Sequence, residues 1–480
     1  MKKITTFIIV IMGLIGMVRA QGDYEAFMFS QTDYLGTARF MSAGGAFGAT
    51  GGEFSALSTN PAAIGLYKRN EVTFTPMSLG FGHTDTYYYG NLSSAQKFKY
   101  TVPQAGIVMA RNINNENGWK NWQFGFGFNR IMDFNRTIRA NANTQNTLMD
   151  MVLNHVNGIN YNNLSGDALL AWDSWLIDTI PGTNDQYYSF FSDENINQRA
   201  LVTRSGAINE MALSIGGNYS DKLYVGASLA FPFLNFTETT SYYEEPVDQD
   251  NISGISKYNL LSEQRNKGTG VNFKLGVIYQ PAEFVRIGAS FHTPTYYWKI
   301  TDNFSRMMTT NYSSGTISEK SYSNYNTFTL TTPLKFNVST SFLIAKRAFI
   351  AAEYEFQDYS MATLYSDNYD YIGENDAIRT KYGVSHSIRV GGEVNITQGF
   401  ALRAGYRMKT TPYKMASAPY NNTAHFISAG LGFRGRVMFF DLAYVLRMSK
   451  DSYWLYDAYG TPCNYAANTH NVVATIGCKF

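Results

Sequence analysis

Most of this chain is one pattern repeated. From Glu71 to Phe480, runs of about ten residues carry an apolar side chain at every second position. In the last run Val472, Ala474, Ile476, Cys478 and Phe480 alternate with Val473, Thr475, Gly477 and Lys479. Phe440, Leu442, Tyr444 and Leu446 alternate with Asp441, Ala443, Val445 and Arg447 in the same way. Period two puts each set on one face of a strand. The second face narrows the fold. In a soluble, exported β-sandwich it meets water and carries Lys, Glu and Thr; here it is Gly, Ser, Ala and isolated Arg or Glu. Such residues suit a crowded interior, with the apolar set facing lipid. Short links (Ser220-Asp221, Gln280-Pro281-Ala282) alternate with long polar stretches, the asymmetry of short periplasmic turns and long external loops. A closed barrel also satisfies every backbone group in lipid. The expected fold is therefore all-β: a transmembrane antiparallel β-barrel of about 14 strands over residues 71–480.

Composition agrees with a lipid-facing wall. Charged residues are 16% of the chain, against about 25% in a soluble domain, while aromatics reach 15%. Lys and Arg number 39 and Asp and Glu 37, so no charge field points to nucleic acid. Cys463 and Cys478 form neither a disulfide framework nor a metal site. The six histidines are scattered without a hydrolase or metalloprotease motif, and no catalytic residue, metal or cofactor is expected. Gly430-Leu431-Gly432-Phe433-Arg434-Gly435 matches a dinucleotide fingerprint in form, but it lies in an alternating strand with no helix after it.

Lys2 and Lys3, the apolar run Ile4–Val18 and the small Ala20 read as a secretory signal peptide over residues 1–20. The mature chain is then exported, and its place is the bacterial outer membrane. Residues 21–70 precede the first barrel strand and are rich in Gly and Ala. They also carry Phe27, Phe29, Tyr34, Leu35, Phe40, Met41, Phe47 and Leu57, which need burial. The nearest cavity is the barrel lumen, so the segment is expected to plug it. A second departure from plain barrel sequence lies in a long external loop, residues 140–205. Leu148, Met151, Val152 and Val156 share one helical face. A second helix, capped by Asp167, would carry Leu169, Trp172, Leu176 and Ile180 with Trp175 beside them, and end at Pro181-Gly182. These apolar residues either pack on themselves or form a capture groove at the surface.

Ala38-Arg39, Gly44-Gly45-Ala46-Phe47, Ser55-Ala56 and above all Asn60-Pro61-Ala62, set directly before a first barrel strand, resemble the FadL/TodX family of outer-membrane transporters for hydrophobic compounds. The family often has Gly after this tripeptide, where this chain has Ala63. The resemblance implies a hatch inside a fourteen-stranded barrel. Gating would fall to Asn60, Pro61, Ala62 and Phe47, and ligand capture to Leu169, Trp172, Trp175 and Leu176. Ligand would leave sideways through a kink in the third strand. The residues there give their own hint. Trp122, Phe124, Phe126, Phe128, Met132 and Phe134 share the outward phase with Arg130, whose exposure to mid-bilayer lipid costs about 2–4 kcal/mol. Either Arg130 snorkels or the strand is bulged, and Gly125 and Gly127 would ease a bend. Inward Arg286, Arg389, Arg403 and Arg407 could meet a carboxylate head group; more simply they pair with lumen acids such as Glu353, Glu355, Glu393 and Asp441. The expected activity is passive uptake of long-chain fatty acids or similar lipophilic compounds. The alternative is a general porin or surface-binding barrel without such selectivity. Expected partners are the hydrophobic ligand, outer-membrane lipid and lipopolysaccharide, and the barrel-assembly machinery during biogenesis, with the chain otherwise a monomer.

Overall fold

A computed structural model describes residues 22–113, 118–192, 194–248, 254–345, 347–414, 423–456 and 461–480. The leader expected at residues 1–20 lies outside them. The alternating runs form a closed antiparallel barrel of 14 strands. In chain order these are β1 (Glu71–Tyr88), β2 (Asn91–Thr101, then Gln104–Asn112), β3 (Trp119–Asp133, then Arg136–Thr144), β4 (Ile196–Tyr219), β5 (Leu223–Pro246) and β6 (Ile255–Ala282). There follow β7 (Val285–His292, then Tyr296–Tyr312), β8 (Ile317–Thr331, then Lys335–Ile344), β9 (Ala348–Asp358), β10 (Val384–Asn395), β11 (Phe400–Lys409), β12 (Ala424–Arg434), β13 (Met438–Tyr453) and β14 (Cys463–Lys479). Closure is made by β1 on β14, from Glu71 opposite Lys479 to Tyr87 opposite Asn464.

The barrel has a tall flank and a low one. Strands β4, β5 and β6 run for 24, 24 and 28 residues, whereas β9 to β12 have 10 to 12. A tilted strand crosses the bilayer in about 9–11 residues, so the low flank ends near the membrane surface and the tall flank rises well above it. Over the tall flank sits the long external loop. Its helices are α3 (Leu148–Val156) and α4 (Gly166–Asp173), followed by a hairpin of Ile177–Thr179 on Tyr187–Ser189. A capping box at Thr147 and Asp150 starts α3. The second helix is shorter than its apolar spacing suggests. It stops before Trp175, whose φ of 59° is left-handed, so Leu176 falls in the connection to the hairpin.

Residues 22–70 lie inside the barrel. Helices α1 (Gly22–Ser30) and α2 (Ala38–Ser42) and two 3-10 turns, Phe54–Ser58 and Pro61–Leu66, form this hatch. Its Phe27, Phe29, Phe40, Phe47, Phe54 and Leu57 are buried and merge with inward residues of the wall into the main apolar cluster. The lumen is stuffed.

Candidate functional site

The lower hatch is seated by close approach and ion pairs. Asn60 caps the second 3-10 turn, its Oδ1 accepting from the Ala62 amide at 3.0 Å, while Pro61 fills the first position, where no amide is needed. The Asn60 amide group also donates to the Gly48 carbonyl at 2.7 Å, joining the Asn-Pro-Ala turn to the chain beside Phe47. Phe47 is fully buried, stacked on Phe40 and edge-on to Phe349. The wall makes room with glycine. A Cβ at Gly276 would strike the Asn60 side chain, and one at Gly226 the Pro61 carbonyl.

Around this seat the inward arginines meet acids. Arg39 of the hatch pairs with Glu393 at 2.8 Å; Arg403 joins Glu393 to Asp441, which also takes Arg434. Arg389 pairs with Glu353 and Glu355, and Glu353 also accepts the Gly48 amide at 2.9 Å. Arg286 donates to the Thr50 carbonyl at 2.8 Å and to Gln280 at 3.0 Å. Of the four arginines expected to face a head group, Arg403 and Arg286 are thus committed to the hatch seat, and only Arg389 and Arg407 border open space. Inside the hatch, burial pushes the Glu53 carboxyl up to about 7, opposed by hydrogen bonds from Thr37 and the Ala56 amide and by Arg39.

That open space is a chamber of about 160 Å³ between the upper hatch and the wall. It is smaller than the roughly 300–1,000 Å³ of an ordinary ligand pocket, so in this state it admits part of a ligand. Phe27, Met28, Met132 and Phe134 give it an apolar side. The lining also carries Arg136, Arg407, Lys409 and Arg447, with the carboxylates of Asp33, Asp133 and Asp451. Arg407 donates to the Asp33 and Thr32 carbonyls, Lys409 to the Thr32 carbonyl, and Arg136 to the Tyr465 hydroxyl at 2.8 Å. Asp33 takes Arg447, at 2.8 Å, and more distantly Arg407, at 3.7 Å. Burial would raise the Asp33 carboxyl, but Arg447, Lys409 and Arg407 together hold it well below the usual range. The alternation shows Arg447 and Arg407 facing inward, and Lys409 follows in the phase of Arg407. What sequence does not show is that these three converge on one hatch residue.

Beside the chamber the wall has a seam. The lower half of β2 pairs normally with β3, Gln104 opposite Asn129 down to Asn112 opposite Asn121. Above it, both strands break, β2 at Val102-Pro103 and β3 at Phe134-Asn135. No ladder joins Asn91–Thr101 to Arg136–Thr144 among the described residues. At the lower end of this gap the hatch backbone takes the edge of β3: Asp33 and Tyr34 donate amides to the Ile131 carbonyl and Leu35 to the Arg130 carbonyl, at 2.7 to 3.1 Å. Side chains span the rest, Lys99 to Asp133 at 2.8 Å and Lys97 to the Arg204 carbonyl at 2.8 Å.

Arg130 lies at this break. The register slips between Arg130 and Met132, and Arg130 bonds Asn209 and Asp133. The slip also corrects the face assigned to the strand's end. Phe124 and Phe126 are exposed outward, but Met132 and Phe134 turn inward and are buried, because a bulge inverts the alternation beyond it. Gly125 and Gly127 sit below, in regular ladder, where a Cβ would meet Ile64 and Phe54 of the hatch. They admit the hatch; the bend lies above them.

The external loop divides its four candidate capture residues. Leu169 and Trp175 are exposed, Trp175 at 63%. Trp172 stacks on Tyr161 and meets Tyr187 edge-on, and Leu176 is fully buried in the loop's own core. The loop is tied to the barrel through Glu244, which accepts from Thr147, the Leu148 amide, Gln198, Tyr242 and Tyr258. Beneath it the opposing walls touch. Tyr88 donates to Gln198 at 2.6 Å and Tyr453 to Glu238 at 3.1 Å across the lumen.

A fourteen-stranded barrel with its N-terminal segment folded inside is an outer-membrane protein, and its architecture is that of the FadL and TodX barrels. A Pseudomonas aeruginosa FadL homologue aligns over 94% of this chain and 99% of its own, with a TM-score of 0.56 at 13% identity. The Pseudomonas putida toluene transporter TodX aligns over 93% and 99%, at 0.52 and 13%. The monoaromatic hydrocarbon channel CymD aligns over 94% and 99%, at 0.50 and 11%. At such identities the likeness is one of fold. No curated protein matches the sequence. The BamG family model matches residues 177–443, more than half of the chain, and the chain belongs to that family.

Proposed function

We propose that this protein passes hydrophobic small molecules, long-chain fatty acids or similar lipophilic compounds, across the outer membrane without an energy source. The observation that carries the reading is the seam between upper β2 and β3, at whose lower end the hatch stretch Asp33–Leu35 is bonded to the β3 carbonyls of Arg130 and Ile131. Movement of that stretch would join the chamber to the bilayer, so cargo leaves sideways and never crosses water. Burial is worth about 0.8 kcal/mol per CH₂ along such a route, enough for downhill capture. Leu169 and Trp175 would make first contact at the surface. Asn60, Pro61, Ala62 and Phe47 would hold the closed state, and Arg407, with Lys409, Arg447 and Arg136, would receive an acidic head. The filled lumen and the crossed upper walls weigh against a general porin.

Proteoliposomes test this. The expected result is uptake of a fluorescent fatty acid together with no swelling in sucrose or arabinose. Sugar-driven swelling without fatty-acid uptake would favour the porin reading.

A further inference from the structure

Strands β9 to β14 carry a repeat that transport does not use. In each of their three hairpins a tyrosine on the ascending strand meets a histidine on the descending one. The hydroxyl lies 2.7 Å from Nδ1 for Tyr354 and His386, 2.8 Å for Tyr406 and His425, and 2.6 Å for Tyr444 and His470. The registers coincide. Each tyrosine stands opposite a β-branched residue (Ile388, Ile427, Val472) and its histidine lies two residues earlier on the same strand. Half of the six histidines of the chain are spent on this arrangement. All three pairs are on the outer face: His386, His470, Tyr406 and Tyr444 are exposed, His425 and Tyr354 half-buried.

Height in the membrane gives the pairs their neighbours. Below His386 the outward residues Ile388, Val390, Gly392, Val394 and Ile396 are apolar, and below His470 so are Val472, Ala474, Ile476, Cys478 and Phe480. Each band covers the length of about nine residues that crosses the hydrocarbon core. The histidines therefore stand one step beyond the oil, at the head groups of the outer leaflet, on six consecutive strands. Phe81, opposite His470, and Phe98, packed on Phe81, extend the ring of aromatics towards the seam.

We propose that the three Tyr–His pairs dock the phosphates of the outer leaflet's glycolipid, lipid A. On this proposal the tyrosine hydroxyl is the donor to Nδ1, which puts the imidazole proton on Nε2, so that each pair presents one oriented N–H at the level of the head groups. No described group occupies Nε2 in any pair. The phosphate oxygens accept from Nε2, and the acyl chains lie down the apolar band beneath. The pairing with tyrosine is what separates this belt from ordinary interfacial aromatics, which would need no matched register.

The test is native mass spectrometry of the full purified chain in detergent. It is loaded either with diphosphorylated lipid A or with the same lipid freed of phosphate. Retention of the phosphorylated form is expected to be about tenfold greater. The H386F/H425F/H470F variant, which keeps an aromatic ring at every site, should lose that preference while remaining heat-modifiable on gels. Equal retention of the two lipids by the natural chain, or an unchanged preference in the variant, overturns the proposal. Should the variant fail to fold, ¹⁵N spectra of the natural chain decide. Nε2 signals must move with phosphorylated lipid A and stay still with the dephosphorylated form; signals unmoved by both overturn it.

Discussion

The lower and upper halves of the hatch are held by different chemistry. Below, Arg39, Arg389 and Arg403 bind Glu353, Glu355, Glu393 and Asp441, and glycines of the wall let Asn60 and Pro61 press against its backbone. Above, the stretch from Thr32 to Leu35 relies on main-chain hydrogen bonds to a broken strand and on one carboxylate shared among cations. A buried ion pair is costly to break from one side, because the remaining charge is stranded; a main-chain bond at an unpaired edge exchanges readily with water or another donor. The lower half is a floor and the upper half a door. The chamber described above borders the door, lined by Asp33, Tyr34 and Leu35.

The largest effect should come from removing both. Deleting residues 21–65 empties the lumen of its plug while the ladder closing β1 on β14 remains. Sugar permeability of proteoliposomes is expected to rise steeply and selective uptake to vanish. Unchanged permeability would mean that the crossed upper walls, and not the hatch, form the seal. Next comes a break in the floor alone. Arg389→Met leaves Glu353 and Glu355 buried without their cation, which is expected to cost about 3–5 kcal/mol. Denaturant melting of the detergent-solubilised chain reads it directly. Asp33→Asn, a break at the door, should cost less and raise the exchange of hatch amides near Leu35. If the two variants cost the same, the contrast between floor and door fails.

Much of this was legible in the residues. Alternation fixed the barrel and its lumen because lipid on one side and a packed interior on the other sort side chains at every second position. The N-terminal aromatics asked for burial, and the lumen was the space on offer. Arg130 marked the break, since a guanidinium in lipid phase requires either an interface or a bulge. What failed failed at that bulge. Met132 and Phe134 were assigned to lipid because period two was carried past a slip in register, and alternation holds no record of a slip. Leu176 was assigned to a helix because spacing does not reveal where a left-handed residue such as Trp175 ends one. The inward phase of the arginines was readable, but their partners were not, since pairing depends on which strands the hatch brings within reach.

The smallest expected effect refines the floor by pH. Glu53 sits in the lower hatch at the start of a 3-10 turn, and burial raises its carboxyl to about 7. A carboxyl that is more basic folded than unfolded binds a proton in the docked hatch that the released hatch gives up. Its favourable contribution is complete below about pH 4.5, the unfolded value, and declines as pH rises to about 7, beyond which it is gone. Hatch amides near Ala56 should therefore exchange faster at pH 8 than at pH 5.5 once intrinsic rates are divided out. Glu53→Gln keeps the shape and an acceptor oxygen, and should flatten that difference. The stretch from Thr32 to Leu35 should not follow the same curve, because Asp33, held ionised by Arg447, Lys409 and Arg407, does not titrate in this range. A common pH response in both stretches would show the hatch moving as one body and would merge the floor with the door.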